Sequence, residues 1–264
     1  MSTRCTVLMY HATPATPGEL GAADPHYAVA LPVFEQHLAA LQALGHTARA
    51  VERVSAALTG GERPVGLTFD DGHRTNLQAA RALAQRGWCA TFFVNPSTVG
   101  TPDYLDWDAL RTMAELGMSI QSHAQHHRYQ DELSDEEQRR ELVDSKTQIE
   151  QQVGRPVTVY APPGGRTSPA TVPLARQAGY QMVSTSRVGV WDLQRDPVWD
   201  VPRFAVLART PLAQVRAWVQ QAPLEVGRQV LRYRLLHWIK RQLGNGGYDR
   251  LRGVLLGTAK DPYQ

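Results

Sequence analysis

The sequence contains few cysteines and no long hydrophobic run, and both absences narrow the kind of protein it can be. Only Cys5 and Cys89 are present, far apart in the chain, which argues against a disulfide framework and suits a reducing compartment. No apolar run approaches the ~18 residues of a membrane span. The first residues show no charged region followed by an apolar one, the pattern of a secretory leader. We therefore expect a protein that is cytoplasmic or peripheral on the inner membrane face.

Internal repeats and low-complexity tracts are also absent. The 264 residues are 42% hydrophobic and 20% charged, which is ordinary for a soluble domain large enough to contain a barrel-sized core. Strand-like and helix-like segments alternate through the middle of the chain, which predicts parallel strands joined by helical crossovers. The predicted strands lie near 6–11, 65–69, 89–94, 117–120, 157–161 and 181–185, and the predicted helices near 32–44, 51–58, 74–86, 106–117, 134–153 and 168–179.

Two adjacent carboxylates, Asp70 and Asp71, follow an apolar run and precede Gly72. Neighbouring side chains on a strand point to opposite faces, so the two carboxylates can share a site only if the strand ends there and the chain turns. Gly72 permits that turn. Two close carboxylates raise the pKa of one of them, unless a cation neutralises one and leaves the other free as a base. The pair therefore indicates a metal site, although the same tripeptide also occurs as a solvated surface turn.

Three histidines, His123, His126 and His127, fall within five residues after a short strand-like segment. Imidazole is the commonest protein ligand of divalent transition metals, and two imidazoles with one carboxylate leave coordination positions open for water and substrate. His123 and His127 would meet one ion if the segment formed a single helical turn. His126 is an alternative to His127, because the sequence does not fix the register of the pair.

Taken together, residues 68–72 and the downstream His123 and His127 resemble the motifs of the polysaccharide deacetylase family, the NodB-type carbohydrate esterases. The resemblance covers roughly residues 6–217. It implies an α/β fold, an irregular (β/α)7-type barrel known as the NodB homology domain, with the site at the C-terminal ends of the strands. We expect this domain at residues 1–222 and a C-terminal helical extension at residues 223–264.

The resemblance also assigns roles to the motif residues. It implies that Asp70 is the general base and that Asp71, His123 and His127 bind one divalent metal ion. Zinc is favoured for this ligand set, with cobalt or nickel as alternatives.

The third motif of the family, which resembles Arg-x-Pro-Tyr-Gly, has a partial counterpart at residues 160–166. Ala161 stands where many members have an arginine that orients the base, and Gly164 stands where they have a tyrosine. The backbone N–H of Gly164 can still stabilise an oxyanion. The orienting cation must come from elsewhere, and Arg203 and Arg166 are the candidates.

The expected general acid is His11. Most family members have a C-terminal Leu-x-His strand that supplies the acid, and no such strand is found in this sequence. Residues 6–11 instead form an apolar strand that ends in histidine, which resembles the opening of the circularly permuted poly-N-acetylglucosamine deacetylase branch. The first and last strands of a closed barrel are neighbours, so either end of the chain can reach the same site.

These resemblances imply a metal-dependent de-N-acetylase acting on N-acetylated amino sugars of a polysaccharide or lipid-linked glycan. Asp70 would take a proton from metal-activated water, the Gly164 amide and the metal would stabilise the oxyanion, and His11 would protonate the departing amine. Two alternatives stay open. One is an O-acetyl esterase or other amide hydrolase on the same scaffold, and the other is a carbohydrate-binding barrel whose catalysis has lapsed.

The segment from residue 224 to residue 264 is not explained by the family. It carries eight Lys and Arg against three Asp and Glu. One predicted helical face collects its apolar side chains, which are Leu224, Leu231, Leu235, Trp238 and Ile239. Such a helix could pack on the barrel with a solvated basic side, or lie on an anionic membrane surface. Nucleic acid is not an expected partner, because no recognition motif accompanies the charge.

Overall fold

One curled sheet of parallel strands forms the centre of the described part of the chain, which is residues 3–236 and Trp238 of a computed structural model. The described strands are β1 (Arg4–Cys5), β2 (Val7–Tyr10), β3 (Thr47–Arg49), β4 (Pro64–Phe69), β5 (Thr91–Val94), β6 (Ser119–Ser122), β7 (Val159–Tyr160), β8 (Met182–Val183), β9 (Trp191–Asp192) and β10 (Phe204–Ala205). β1 and β9 form a separate antiparallel pair, and the other eight strands belong to the curled sheet. The order across the sheet is β10-β2-β4-β5-β6-β7-β8, with β3 beside the start of β4. Every neighbouring pair in this sheet is parallel. The expected α/β barrel is therefore confirmed.

The two ends of the curled sheet are connected through irregular backbone. An isolated parallel bridge joins Ser184, just after β8, to Val201, just before β10. β10 then pairs with β2, with Phe204 beside Leu8. The chain therefore closes an irregular barrel in which the N-terminal and C-terminal strands of the sheet are adjacent.

Helices cover the outside of the sheet. They are α1 (Leu31–Ala43), α2 (Val54–Thr59), α3 (Asn76–Ala84), α4 (Trp107–Glu115), α5 (Asp135–Val153), α6 (Thr171–Gln177), α7 (Leu212–Val219) and α8, residues 223–236. Short 3-10 turns occupy Pro17–Glu19, Val51–Arg53, Gln130–Glu132 and Pro163–Gly165. Ser134 and Glu137 form a capping box at the start of α5, since the side chain of each binds the backbone N–H of the other. Gly154, in the left-handed conformation with φ of 68°, ends the same helix.

Aromatic side chains pack between the sheet and α1, near the ends of β2 and β4. The rings of Phe69 and Phe92 stack with centroids 4.5 Å apart, and Tyr10 stacks on Phe69 at 5.4 Å. All three are almost fully buried. Because Tyr10 and Phe69 are the last residues of β2 and β4, this packing holds rigidly the point from which the next residues leave the sheet.

Five strands and helices of the described residues were not predicted from the sequence: β1, β3, β9, β10 and α7. The four strands are only two or three residues long, which is too short to show a period of two. Neighbouring strands, and not local sequence, make these segments extended. None of the helices in the described ranges is both long and apolar enough to cross a membrane. Of the predicted tail, residue 237 and residues 239–264 lie outside the described residues.

Candidate active site

The candidate catalytic side chains lie where neighbouring strands end. His11 follows β2, Asp70 and Asp71 follow β4, and His123 follows β6. The Asp70 N–H donates to the Tyr10 carbonyl oxygen at 3.0 Å, which continues the ladder one residue beyond both strands. Because the carboxyl ends of parallel strands meet at one edge of a barrel, residues far apart in sequence share one mouth.

A left-handed turn redirects the chain after Asp70. Asp71 has φ of 73° and Gly72 has φ of 71°. A Cβ atom on Gly72 would lie 3.0 Å from Cγ1 of Val94, so the position is also sterically restricted to glycine. A non-glycine residue with positive φ costs energy, and such residues cluster at functional sites. The turn keeps Asp70 buried at 3% exposure and directs Asp71 toward the histidines.

Asp71, His123 and His127 form a triangle of donor atoms. Oδ1 of Asp71 lies 3.4 Å from Nε2 of His123 and 3.3 Å from Nε2 of His127, and the three donor atoms all lie within 4.8 Å of one another. In a tetrahedral zinc site with bonds of about 2.0–2.1 Å, neighbouring ligand atoms are about 3.3 Å apart. The donor set and its spacing therefore fit a divalent transition metal.

The hydrogen bonding of His123 supports the same conclusion. Its Nδ1 donates to the Ala161 carbonyl oxygen at 2.7 Å, so in the neutral ring the lone pair on Nε2 faces the Asp71 carboxylate. Burial raises the pKa of Asp71, but hydrogen bonding from His123 and His127 outweighs it and holds that pKa well below its usual range. A hydrogen bond from Nε2 of His123 to Asp71 requires a second proton on the ring. A metal ion would instead accept the lone pairs of Nε2 and of the Asp71 carboxylate with no added proton.

The loop that carries the histidines is not the single helical turn expected from their spacing. Residues 123–127 are irregular, with φ of 66° at Ala124 and 57° at His127. The Asn95 side chain donates to the carbonyl oxygens of His123 and Ala124. Two left-handed residues and this side-chain anchor bring the imidazoles together, where a helical turn would have stacked them along an axis.

His126 points away from the donor triangle. Its Nδ1 is 2.8 Å from Oε1 of Glu141 on α5, and its side chain is 58% exposed. Oε2 of Glu141 accepts the backbone N–H groups of Gln125 at 2.9 Å and His126 at 2.8 Å. The buried Glu141 carboxylate thus fixes the backbone of the loop and the ring of His126. His127, and not His126, faces Asp71.

Arg203 binds Asp70 through both of its terminal nitrogens. Nη1 donates to Oδ1 at 2.6 Å and Nη2 to Oδ2 at 3.0 Å, with both side chains buried. Burial raises the pKa of Asp70, yet the positive charge of Arg203 and the nearby His123 lower it below its ordinary value. The carboxylate is therefore charged at neutral pH, and its orientation is fixed by a planar two-point contact.

The guanidinium of Arg203 is itself held in place. Its Nε donates to the Thr185 carbonyl oxygen at 2.8 Å, and Nη1 also reaches the Thr68 hydroxyl at 3.2 Å. Arg166, the other candidate for the orienting cation, instead pairs with Asp131 and Glu132 and stacks on Tyr129. The structure therefore brings Arg203, and not Arg166, to Asp70.

His11 lies beside the carboxylates and under the loop that precedes α1. Burial lowers the pKa of its imidazole, and the charges of Asp71 and Asp70 partly oppose that shift. The Tyr27 ring packs on His11 with centroids 4.6 Å apart, and the Asn76 side chain donates to the His11 carbonyl oxygen at 2.7 Å. The long loop therefore forms one wall of the cleft that contains His11.

Gly164 lies in the exposed turn that follows β7, with φ of 59°. A Cβ atom at this position would approach Cε1 of Tyr129 to 2.9 Å. The Tyr129 ring also lies 6.5 Å from the ring of His127. An aromatic ring from a different loop thus occupies the space beside Gly164, which explains why this turn has no side chain there.

Sequence reasoning missed several supporting residues. Asn95 directly follows β5, the position that Asp70 and His123 take after their own strands, so its place at a strand end was an available signal. Glu141 has no comparable signal, because it is one of several acids on α5. Tyr27 and Tyr129 lie in loops, where an aromatic residue gives no hint of its neighbours.

Comparison with known proteins shows similarity to polysaccharide deacetylases. Residues 57–183 match the family model described as polysaccharide deacetylase. The protein YxkH of Bacillus subtilis is 31% identical over 161 residues, which is 59% of this chain and 58% of that protein. A peptidoglycan-N-acetylglucosamine deacetylase of Bacillus cereus is 32% identical over 138 residues, 52% of this chain and 60% of the relative. The chain thus matches about three fifths of the length of these two relatives.

A solved structure extends the similarity to most of the fold. The deacetylase PplD of Streptococcus pyogenes, in complex with acetate, superposes with a TM-score of 0.71 and 25% identity. The match covers 81% of this chain and 96% of that one. A match to 81% of the chain is longer than residues 57–183. The structural similarity therefore extends beyond the range of the family model.

Proposed function

This chain belongs to the polysaccharide deacetylase family, and we propose that it is a metal-dependent de-N-acetylase acting on N-acetylated amino sugars of a polysaccharide or lipid-linked glycan. The observation that carries the proposal is the pairing of buried Asp70 with Arg203 directly beside the Asp71, His123 and His127 triangle. A fixed, charged base next to a set of metal ligands is what hydrolysis of an unactivated amide requires. The similarity to the peptidoglycan-N-acetylglucosamine deacetylase of Bacillus cereus supports an N-acetylated amino sugar as substrate.

The donor set supports zinc as the ion, since two imidazoles and one carboxylate are typical ligands of catalytic zinc. Cobalt and nickel are alternatives with the same ligand types. A bound ion would supply a Lewis acid that polarises the acyl oxygen and lowers the pKa of water. Asp71, His123 and His127 would hold it.

Each remaining residue has a role that follows from its position. Asp70 accepts the proton of the attacking water, and Arg203 keeps its carboxylate ionised and correctly oriented. His11 donates a proton to the departing amine from the neighbouring strand end. The Gly164 N–H stabilises negative charge on the acyl oxygen.

Acetate release tests the proposal. The purified chain is incubated with N-acetylated glucosamine oligomers, peptidoglycan glycan strands and O-acetylated xylan, with added zinc or with chelator. We expect acetate from the N-acetylated substrates, loss of release with chelator and recovery with zinc. Release from O-acetylated xylan alone would replace the proposal with the esterase alternative, and release that is unaffected by chelator would exclude the metal.

A variant separates loss of the metal from loss of the fold. Asp71→Ala should bind less than a tenth of the wild-type zinc and release no acetate, while its circular dichroism spectrum stays unchanged. Full zinc occupancy in this variant would remove Asp71 from the ligand set. Asp103→Ala, which changes a carboxylate that pairs with Arg74 outside the donor triangle, is the matched control.

A further inference from the structure

The C-terminal helix α8 presents an apolar stripe to solvent. Leu224 is 91% exposed, Leu231 69%, Leu235 55% and Trp238 60%. At about 100° per residue, these four side chains fall within about 40° of one direction around the helix axis. Monomeric proteins rarely expose several large apolar side chains side by side without a partner.

The opposite face of α8 already packs on the protein. Val226 packs against the hydrophobic core, and Glu225 accepts a hydrogen bond from Gln214 of α7 at 2.8 Å. Tyr233, on the same side of the helix as Val226, is partly buried. The contacts therefore fix the rotation of the helix, and the apolar stripe faces away from the barrel. The alternative in which the helix packs with its leucines against the barrel does not hold for the described residues.

Arginines flank the stripe on both sides. Arg228, Arg232 and Arg234 are all exposed. By the same geometry, Arg228 and Arg232 lie to one side of the leucines and Arg234 lies to the other. Glu225 is the one acid within residues 223–236, and it is engaged by Gln214 and Gln229. The solvent-facing side of α8 is thus apolar in the middle and positive at its edges.

We propose that α8 binds an anionic lipid surface, with its leucines and Trp238 buried in the interface and its arginines on lipid phosphates. This arrangement supplies both contributions that bind interfacial helices, apolar burial and attraction to negative headgroups. A second copy of the chain suits the surface poorly, because a two-fold contact would place the same three arginines against one another. The inference does not depend on which glycan the enzyme hydrolyses.

Vesicle co-sedimentation of the full chain tests the proposal. The vesicles are pure phosphatidylcholine or an equal mixture of phosphatidylcholine and phosphatidylglycerol. We expect binding to the mixed vesicles and much weaker binding to the neutral ones. The Arg228→Gln, Arg232→Gln, Arg234→Gln triple variant should bind the mixed vesicles about a hundredfold more weakly at low salt, about fivefold for each arginine. The Leu231→Ser, Leu235→Ser double variant should lose at least about tenfold, because each leucine no longer enters the interface.

Matched controls use exposed residues of the same types elsewhere. Leu116→Ser with Val143→Ser changes two exposed apolar side chains, 36% and 40% accessible, one just after α4 and one on α5. Arg139→Gln, Arg140→Gln, Arg155→Gln changes three exposed arginines. Both should bind vesicles as the wild type does, and all variants should retain the wild-type circular dichroism spectrum.

Any of three outcomes would overturn the proposal. The first is a wild-type chain that ignores mixed vesicles, with sedimentation velocity showing a dimer that the leucine variant abolishes, which would assign the stripe to a second copy. The second is a leucine variant that binds mixed vesicles as strongly as the wild type, which would reduce the interaction to charge alone. Absence of both vesicle binding and dimerisation would likewise reject it.

Discussion

Arg203 and Asp70 form the contact on which the proposed chemistry of this site depends. The guanidinium holds both carboxylate oxygens of a residue that is 3% exposed. An unpaired buried carboxylate would take up a proton and lose its function as a base. The arginine that many family members place at the position of Ala161 is thus replaced by one from the segment before β10.

Arg203→Met should therefore lower kcat by about a hundredfold or more, because Asp70 loses both its charge partner and its orientation. Removing one partner of a buried ion pair should also cost about 3–5 kcal/mol of the free energy of unfolding. Arg203→Lys should restore part of the stability but little of the rate, since lysine cannot make the planar two-point contact. Acetate release and chemical denaturation measure the two effects.

The control for this series is Arg187→Met, which removes an arginine paired with Asp200 and Asp196 near the surface. That variant should lose stability without a loss of kcat. Equal rates for Arg203→Met and the wild type would show that Asp70 needs no fixed cation and that a different group is the base.

His11→Ala should affect substrates according to their leaving groups. An amine must be protonated as it departs, whereas p-nitrophenolate leaves readily without a proton. We expect deacetylation of a glucosamine oligomer to fall by about a hundredfold or more, and hydrolysis of p-nitrophenyl acetate to change by less than about threefold. His46→Ala, which removes a histidine bonded to the Arg63 carbonyl oxygen, should leave both rates unchanged. An equal loss on both substrates would reassign His11 to a structural role.

At the scale of secondary structure elements, α5 supports the loop that carries the proposed histidine ligands. Glu141 projects from the helix and accepts two consecutive backbone N–H groups of the loop, with 4% of its surface exposed. Residues 123–127 have no regular hydrogen bonding of their own, and two of them adopt positive φ. A buried carboxylate outside the donor triangle therefore determines how the imidazoles are presented.

Glu141→Gln should weaken zinc binding by about tenfold to a hundredfold, the usual range for a residue that orients metal ligands. Its single acceptor oxygen cannot replace both carboxylate oxygens, and its amide nitrogen would face a donor. Competition with a chromogenic chelator measures the affinity. Glu150→Gln, on the same helix but bonded to Lys146 and the Val157 N–H, is the matched control. An unchanged affinity in Glu141→Gln would show that the loop holds its shape without α5.

At the scale of the whole molecule, a metal would join strands that the fold brings together from distant parts of the chain. Asp71 leaves β4 and the histidines follow β6, with β5 between them in the sheet. An ion that binds the folded state alone stabilises it in proportion to the logarithm of its concentration over Kd. Metal binding should therefore be visible as thermal stability.

Zinc at a hundred times its Kd should raise Tm by several degrees, since it contributes about 2.7 kcal/mol. Chelator should reverse the shift in the wild type and have no effect in Asp71→Ala. Differential scanning fluorimetry at several zinc concentrations gives the comparison. A zinc-dependent Tm that persists in Asp71→Ala would place the ion elsewhere in the chain.

The sequence by itself determined the residues that sit at strand ends. An apolar run followed by Asp70, Asp71 and Gly72 is a local pattern, as are a strand ending in His11 and the cluster of histidines after residue 122. Helix boundaries at Ser134 and Gly154 were predictable for the same reason, because caps depend on nearby residues. Parallel strand order then brings such strand ends to one edge.

Only the tertiary structure decided which partners these residues have. Arg203 meets Asp70 across 133 positions of sequence, a pairing that no local pattern encodes, and Arg166 was an equal candidate until its own acidic partners were seen. The choice of His127 over His126 depended on a left-handed backbone and on Glu141 from a separate helix. The outward direction of the α8 leucines depended on which helix face the barrel covers. Long-range packing fixes the orientation of a side chain, whereas sequence pattern fixes only its position along an element.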